Sequence, residues 1–302
     1  MPMVFVPART AQNTELCTRC ARMCTHIQSE TMDPLLTLKI VELMRGALRT
    51  GTGALTCSLD LERSTTLVAV DESGWTWRER RFPYPGECNG RTIYHWTGAL
   101  WTPAARYTTS LIKLVPTEWG PPTFEIDGIK MLPTARICPY ADAQRKVGLI
   151  EPYGKVILDT CGGLGYFADW CIQGSAAQVL SYEKSPDVVW LRSLNPWSPE
   201  PGGALTLIQA DITEEIQALP ARSVDAVLHD PPRFGIAGEL YSQVFYDQLA
   251  RVLRRRGRLF HYVGTPNRLT SQRNVPREVA TRLRRAGFAT QFEGDSVLAV
   301  RN

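Results

Sequence analysis

The chain has 302 residues, 44% of them hydrophobic, which is enough for the cores of about two domains of ordinary size. Its net charge of +4 permits contact with phosphates but excludes the strongly basic composition of a dedicated nucleic-acid binder. Because no stretch approaches the roughly 18 consecutive apolar residues of a membrane span and the N-terminus lacks a signal-peptide pattern, we expect a cytoplasmic protein without a membrane partner, as a monomer or homodimer.

Residues 1–32 are polar and lack periodicity, so we predict a poorly ordered N-terminal extension. This segment carries Cys17, Cys20 and Cys24, with His26 close by. Thiolates at this spacing could hold zinc or an iron–sulfur cluster if Cys57 or Cys88 completed the ligand set. The sequence has no second Cys-x2-Cys pair, and its eight cysteines are otherwise scattered, so we predict neither a metal site nor a disulfide scaffold.

Residues 33–136 are predicted to form one amphipathic helix and a small, mainly β domain. Asp33 and Pro34 suit the start of a helix, and apolar residues then recur at helical spacing up to Gly51. These apolar residues are Leu35, Leu38, Ile40, Val41, Met44 and Leu48. Short runs rich in β-branched and aromatic residues follow, separated by glycine and proline, which predicts strands. The runs are 65–70, 75–77, 93–96 and 110–115.

Five tryptophans in this region admit two interpretations. They are Trp75, Trp77, Trp96, Trp101 and Trp119. They could line a lid that closes over a small substrate, or they could form the core of the β domain. We expect a domain of this kind, next to a catalytic domain, to bind or cover the substrate.

Residues 137–302 alternate between predicted strands and helices. The strands are 156–160, 179–183, 205–209, 226–229, 258–263, 289–292 and 297–300. Such alternation predicts a Rossmann-like, doubly wound α/β domain with a mostly parallel seven-stranded sheet and an antiparallel last strand. Arginines cluster at 251–258 and 282–285, and we expect them at solvated helix ends and turns, where the helix dipole favours cations.

A glycine-rich turn follows the first strand of this domain. The run reads Val156-Ile-Leu-Asp159-Thr-Cys161-Gly162-Gly163-Leu-Gly165, an apolar strand that ends in an acid and leads into a helix. Only residues without a side chain let the backbone turn this sharply and approach a ligand closely. The run resembles the first motif of class I S-adenosylmethionine-dependent methyltransferases, which reads acid, any, Gly, any, Gly, any, Gly. In this sequence Cys161 stands at the first glycine position.

What this resemblance implies is a cofactor site at the carboxyl edge of the sheet, where such folds bind ligands. The turn would wrap the methionine part of S-adenosylmethionine. Glu183, which ends the second strand, would accept hydrogen bonds from both ribose hydroxyls, and Asp211, which follows the third, would face the adenine amino group. The implied cofactor residues are Asp159, Cys161, Gly162, Gly163, Gly165, Glu183, Asp211 and Asp230.

The fourth strand ends in His229-Asp230-Pro231-Pro232-Arg233-Phe234, in which each proline fixes its own φ and keeps its predecessor extended. This run resembles the Asp/Asn-Pro-Pro-aromatic motif of methyltransferases that act on planar nitrogens, with Arg233 at the aromatic position. Together with Gly238-Glu-Leu-Tyr241-Ser and Phe260-His261-Tyr262-Val-Gly264, it is similar to a group of uncharacterised methyltransferases found largely in archaeal genomes.

Roles for individual residues follow from these motifs. Asp230 is predicted to orient or deprotonate the acceptor, with His229, His261 and Tyr262 as catalytic pocket groups, although a histidine inside a strand can equally be a structural residue. The predicted substrate contacts are Pro231, Pro232, Arg233, Phe234 and Tyr241. Phe234 could stack on a flat acceptor or pack beneath the loop.

We therefore predict methyl transfer to a nitrogen of an RNA base or of a small heteroaromatic or amine metabolite. A basic face beside the pocket would favour RNA, and an aromatic lid would favour a metabolite. Aminopropyl transfer of the polyamine synthase type is an alternative because it uses the same sheet and an acid after the fourth strand, although Arg233 argues against an acidic pocket. A non-catalytic scaffold with the same fold is the other alternative.

Overall fold

A computed structural model describes residues 33–264 and 274–302, which form two compact units. The N-terminal unit holds the described residues up to Asp142 together with Leu194–Trp197. The C-terminal unit holds the other described residues from Ala143 to Asn302. The predicted extension at residues 1–32 lies outside the described residues. No helix in the described parts of the chain is long and apolar enough to cross a membrane.

The N-terminal unit consists mainly of antiparallel β-structure. Its elements are β1 (Leu35–Leu36), α1 (Leu38–Arg49), β2 (Ala54–Cys57), β3 (Thr66–Asp71), β4 (Gly74–Trp77), β5 (Arg80–Phe82), β6 (Tyr94–Trp96), β7 (Trp101–Pro103), β8 (Ala105–Tyr107), β9 (Leu111–Val115), β10 (Thr123–Ile126) and β11 (Ile129–Lys130). They form three sheets with the orders β1-β6-β7, β2-β3-β4-β5 and β11-β10-β9-β8. All neighbouring strands in these sheets run antiparallel.

Helix α1 begins later than the sequence predicted. Its N-cap is Thr37, whose hydroxyl accepts a hydrogen bond from the backbone N–H of Ile40 at 3.5 Å, so the predicted start at Asp33 and Pro34 is wrong. Leu35 and Leu36 instead form β1, pair with β6 and are buried. Burial of two leucines contributes more than a local cap, which explains why tertiary packing overrides the local start pattern.

Aromatic rings fill part of the core of the N-terminal unit. Trp75 is fully buried and stacks on Phe82, with ring centroids 4.6 Å apart. The ring centroid of Trp101 lies 5.8 Å from that of Trp75 and 5.2 Å from that of Trp96. Aromatic pairs at such distances stabilise beyond their buried area. Trp75, Trp96 and Trp101 therefore take part in the packing of this unit.

The segment Leu194–Trp197 completes the N-terminal unit from a distant part of the chain. Trp197 is buried, and its Nε1 donates a hydrogen bond to the carbonyl of Leu61 at 2.9 Å. Its ring centroid is 5.2 Å from that of Tyr140, and Arg63 donates to the carbonyl of Pro196. The core of this unit is thus built from two separate stretches of sequence.

The rest of the described chain alternates strands and helices. The helices are α2 (Pro139–Gly148), α3 (Tyr166–Gln173), α4 (Pro186–Leu194), α5 (Ile212–Glu215), α6 (Gln243–Val252) and α7 (Val275–Arg285). The strands are β12 (Val156–Asp159), β13 (Gln178–Glu183), β14 (Leu205–Gln209), β15 (Val224–His229), β16 (Leu253–Tyr262), β17 (Phe288–Glu293) and β18 (Ser296–Arg301).

One sheet joins these seven strands in the order β14-β13-β12-β15-β16-β18-β17. Strands β12 to β16 are parallel, and β18 runs antiparallel to both of its neighbours. The predicted Rossmann-like α/β fold with a seven-stranded sheet is confirmed. Chain order runs in opposite directions on the two sides of β12, so the topological switch point lies between β12 and β15. Ligands of such sheets bind at the carboxyl ends of the strands at this point.

Strand β16 contains most of the first arginine cluster. It begins at Leu253, so Arg254, Arg255 and Arg256 lie in the strand, and the prediction that they sit at helix ends and turns is wrong. The pairing register with β15 shifts here, and Arg256 has a left-handed φ of +62°. Arg254 forms an ion pair with Asp225 on β15 at 2.6 Å. Strand β16 therefore extends across a shift in its pairing register with β15, which the run of arginines did not indicate.

Candidate active site

Strand β12 brings Asp159 to the carboxyl edge of the sheet. Asp159 is buried, and its Oδ2 accepts a hydrogen bond from the Ser181 hydroxyl at 2.8 Å. Its Oδ1 is also buried and has no hydrogen-bond partner among the described residues. Burial raises the pKa of Asp159 to about 6, although the Ser181 hydrogen bond opposes this. The strand end therefore holds a carboxyl group with unused acceptor capacity.

The turn after β12 requires glycine because of its backbone conformation and because other side chains pack closely against it. Gly163 and Gly165 have φ values of +49° and +81°, in the left-handed region that favours glycine. A Cβ atom on Gly162 would overlap the Ser181 hydroxyl, and one on Gly165 would lie 2.5 Å from Cζ of Arg192. The motif resemblance explains these glycines by the close approach of a ligand to the turn. The structure gives Gly162 and Gly165 a packing reason as well.

Arg192, on α4, is a buried cation behind the glycine-rich turn. It is 3% exposed, and its Nη1 donates to the Ser181 hydroxyl at 3.3 Å. Burial lowers the pKa of Arg192, while the negative charges of Asp159 and Glu183 act to raise it. The guanidinium group therefore offsets the two acids at this edge of the sheet.

Glu183 ties the end of β13 to the glycine-rich turn. Its Oε2 accepts a hydrogen bond from the backbone N–H of Gly163 at 2.9 Å, and its Oε1 accepts one from the N–H of Ser185, also at 2.9 Å. Burial raises its pKa, while these backbone hydrogen bonds act to lower it. Burial, and after it the negative charge of Glu183, raise the pKa of the Cys161 thiol well above its ordinary value.

Asp211 caps α5 and forms an ion pair. Its Oδ1 accepts hydrogen bonds from the backbone N–H and the hydroxyl of Thr213 at 2.9 and 2.7 Å. Its Oδ2 is 2.6 Å from Nζ of Lys184, which directly follows Glu183. Burial acts to raise the pKa of Asp211, but the Lys184 and Thr213 interactions together lower it. This carboxylate is therefore ionised and fixed beside the end of β14.

Asp230 follows β15 and is paired with a lysine that sequence reasoning missed. Nζ of Lys146, on α2, is 3.0 Å from Oδ2 of Asp230. The two residues are 84 positions apart, and Lys146 belongs to a helix whose pattern gives no sign of a site. Arg192 was missed for the same reason. Its partners come from other elements, and its neighbours in sequence carry no motif.

The segment after Asp230 folds back on itself. The Tyr241 hydroxyl donates to the carbonyl of Pro232 at 3.0 Å, and the Phe234 ring meets the Tyr241 ring at a centroid distance of 5.5 Å. The carbonyl of Arg233 accepts a hydrogen bond from the N–H of Ile236 at 2.8 Å. Phe234 thus contacts protein here, as in the packing interpretation of the sequence, and Pro231 is buried.

His229, the last residue of β15, and His261, in β16, have buried side chains. Both are fully buried, and their ring centroids are 4.4 Å apart. His229 bonds through Nδ1 to the Thr160 hydroxyl at 2.7 Å and through Nε2 to a carbonyl at 3.0 Å. His261 bonds to the hydroxyl of Tyr246 at 2.9 Å and to the backbone carbonyl of Tyr262 at 2.9 Å. Burial lowers the pKa of His229 to about 4 and that of His261 well below its ordinary value, which favours the neutral form of both rings.

Two of the predicted acids, Asp159 and Glu183, end the adjacent strands β12 and β13, and the other two, Asp230 and Asp211, follow β15 and β14. Cys17, Cys20 and Cys24 lie outside the described residues. Within 33–264 and 274–302, no group of three or more His, Cys, Asp and Glu residues is arranged to hold a metal ion.

Solved structures share the fold of this chain, although no protein-family model matches it. Its fold is similar to that in the crystal structure of spermidine synthase in complex with the transition state analogue AdoDATO, with a TM-score of 0.53 and 14% identity over 66% of this chain and 73% of that one. Spermidine synthase from Thermotoga maritima has a TM-score of 0.50 and 15% identity, covering 66% of this chain and 72% of that one.

A sequence relative is much closer in identity. The uncharacterized protein MJ1233 of Methanocaldococcus jannaschii is 40% identical over 199 residues, which are 65% of this chain and 68% of that protein. The chain therefore belongs to the same protein family as MJ1233.

Proposed function

We propose that this chain transfers a methyl group from S-adenosylmethionine to a nitrogen of an RNA base or of a small heteroaromatic or amine metabolite. The observation that carries the proposal is the placement of Asp159, Glu183 and Asp230 at the carboxyl ends of three adjacent parallel strands around the switch point. The hydrogen bond from Gly163 to Glu183 joins the glycine-rich turn to this set.

The groups at this edge fit the chemistry of the cofactor. A carboxylate offers about four lone-pair sites, so Glu183 can accept hydrogen bonds from the ribose beside those from the backbone of Gly163 and Ser185. The buried, unpartnered Oδ1 of Asp159 suits an ammonium group such as that of the methionine part. Asp211 would take the adenine amino group, as the motif resemblance implies. S-adenosylmethionine, when bound, supplies a methyl group that its sulfonium charge already activates.

The contribution of the chain itself is positioning. Asp230 would accept a hydrogen bond from the acceptor N–H and so direct the nitrogen lone pair toward the methyl group. Pro231 and Pro232 restrict the backbone after Asp230, and Tyr241 fixes it through the carbonyl of Pro232. We assign His229 and His261 to support of the strands rather than to proton transfer, because both rings are fully buried and both nitrogens of each ring are hydrogen-bonded within the protein.

Calorimetric titration tests the proposal with S-adenosylmethionine, S-adenosylhomocysteine and decarboxylated S-adenosylmethionine as ligands. We expect the first two to bind the wild-type protein and to bind Glu183→Gln about 10- to 100-fold more weakly, since a hydrogen bond to a charged group contributes about 1.5–3 kcal/mol. Glu151→Gln is the matched control, because Glu151 precedes β12, is 64% exposed and pairs with Arg258. It should bind as the wild type does.

Two results would contradict the proposal. A preference for the decarboxylated ligand would indicate aminopropyl transfer, and failure of all three ligands to bind would indicate a scaffold without a cofactor. Equal affinities for the wild type and Glu183→Gln would remove Glu183 from the proposed site.

A further inference from the structure

The ion pair between Lys146 and Asp230 adds a residue to the proposed acceptor site. The distance from Nζ to Oδ2 is 3.0 Å, and the side chains of Lys146 and Asp230 are 3% and 21% exposed. A buried cation thus lies against a carboxylate that solvent, and therefore a ligand, can reach.

Aromatic rings surround the ammonium group of Lys146. Its Nζ is 4.2 Å from the ring centroid of Tyr262, 5.7 Å from that of Phe167 and 5.9 Å from that of Phe260. Aromatic faces attract cations, and a buried charge is tolerated only when its surroundings compensate for lost hydration. The rings and the Asp230 carboxylate together provide that compensation and hold the ammonium group in place.

The ion pair with Lys146 determines the net charge that an acceptor meets at Asp230. The charge of Lys146 offsets that of Asp230, so the pair carries no net charge. A carboxylate in an ion pair can still accept further hydrogen bonds, since it has about four lone-pair sites. An uncharged nitrogen with an N–H group can therefore bind to Asp230. A protonated amine would find little net attraction there, and it also lacks the lone pair that methyl transfer requires.

We infer that Lys146 is a specificity-determining residue, which makes the acceptor site neutral and selects an uncharged nitrogen nucleophile of a heteroaromatic ring over a cationic amine. The inference rests on the proposed function and narrows its acceptor class. Aliphatic amines and polyamines, which are cations at neutral pH, are disfavoured as acceptors.

The charge of the site can be measured before any acceptor is identified. S-adenosylmethionine carries a sulfonium charge that S-adenosylhomocysteine lacks, so the ratio of their affinities reports the local charge. In Lys146→Met the carboxylate is no longer offset, and we expect this ratio to shift about tenfold toward S-adenosylmethionine, which corresponds to about 1.4 kcal/mol. Lys146→Arg keeps the charge and should keep the wild-type ratio.

Two further variants complete the cycle. Asp230→Asn removes the negative charge that faces the Lys146 ammonium group, so the ratio should shift toward S-adenosylhomocysteine. The double variant Lys146→Met/Asp230→Asn is neutral again and should return to the wild-type ratio. Lys155→Met is the matched control, because Lys155 precedes β12 and donates to the carbonyl of Ile150 at 2.6 Å. It should leave the ratio unchanged.

Putrescine probes the acceptor class directly. Added to the S-adenosylhomocysteine complex, this dication is expected to bind Lys146→Met about tenfold more tightly than the wild type. Unchanged ligand ratios in Lys146→Met and Asp230→Asn, with every variant still binding S-adenosylmethionine, would overturn the inference and leave the proposed function standing. Failure of the wild type to bind S-adenosylmethionine would overturn the proposed function itself. If Lys146→Met does not fold, Asp230→Asn and the double variant decide the question.

Discussion

Replacing Gly165 with alanine would place a methyl group where the guanidinium group of Arg192 now lies. A Cβ atom at this position would be 2.5 Å from Cζ and 2.7 Å from both Nε and Nη2 of Arg192. Carbon atoms in proteins do not approach this closely, so either the turn or the arginine must move. Arg192 is 3% exposed and hydrogen-bonded to Ser181, which leaves it little room.

Two costs add in Gly165→Ala. The left-handed φ of +81° costs an L residue about 1–2 kcal/mol. Overpacking of a buried site costs about 1–3 kcal/mol more, because Arg192 must leave its preferred position. We therefore expect the free energy of unfolding to fall by about 2–5 kcal/mol, a large part of the roughly 5–15 kcal/mol that stabilises a typical domain.

Urea unfolding followed by circular dichroism measures this loss, with Gly154→Ala as the matched control. Gly154 has a similar φ of +66°, and no described residue beyond its chain neighbours comes within 4 Å of its Cβ position. The control should lose only the conformational part, about 1–2 kcal/mol. If the two variants lose the same free energy, Arg192 does not fill the space behind the turn and the packing explanation of Gly165 is refuted.

Two further predictions concern stability. Burial holds the pKa of His229 at about 4 instead of 6.5, so the unfolded chain takes up a proton as the pH falls below 6.5 while the folded chain does not. The resulting stabilisation is fully present above pH 6.5 and falls by about 3 kcal/mol toward pH 4. The free energy of unfolding should therefore depend less steeply on pH in His229→Gln than in the wild type. Identical pH dependence of the two proteins would contradict this prediction. Asp211→Ala removes the cap of α5 and should destabilise the protein by about 1 kcal/mol in thermal unfolding. Lys184→Met should destabilise it less, because the Lys184 side chain is 70% exposed. The reverse order would show that the ion pair contributes more than the cap.

The sequence was most informative where local periodicity and strand ends coincide. Asp159 and Glu183 end strands in the structure as predicted, because a buried strand and the turn after it are both local patterns. The alternation of strands and helices was likewise sufficient to predict the α/β fold with its seven-stranded sheet, since short right-handed connections restrict the possible sheet topologies.

Features that depend on distant partners were not predictable. Lys146 meets Asp230 across 84 positions, and Arg192 meets the glycine-rich turn through packing of separate elements. The strand at Leu35 and the start of β16, where the pairing register shifts, also arise from pairing with other strands, which overrides local helix and charge patterns. His229 and His261 could not be placed from the sequence, because alternation along a strand does not tell a buried polar network from a pocket.

The segment Leu194–Trp197 has a consequence for the order in which the chain folds during synthesis. Domains generally fold from the N-terminus as they emerge. Here the N-terminal unit lacks Trp197, with its buried ring and its hydrogen bond to Leu61, until about fifty residues beyond Asp142 have been made. A nascent chain that stops before Leu194 would therefore expose the surface that Trp197 covers, and a fragment that ends at Asp142 would be an incomplete substitute for this unit.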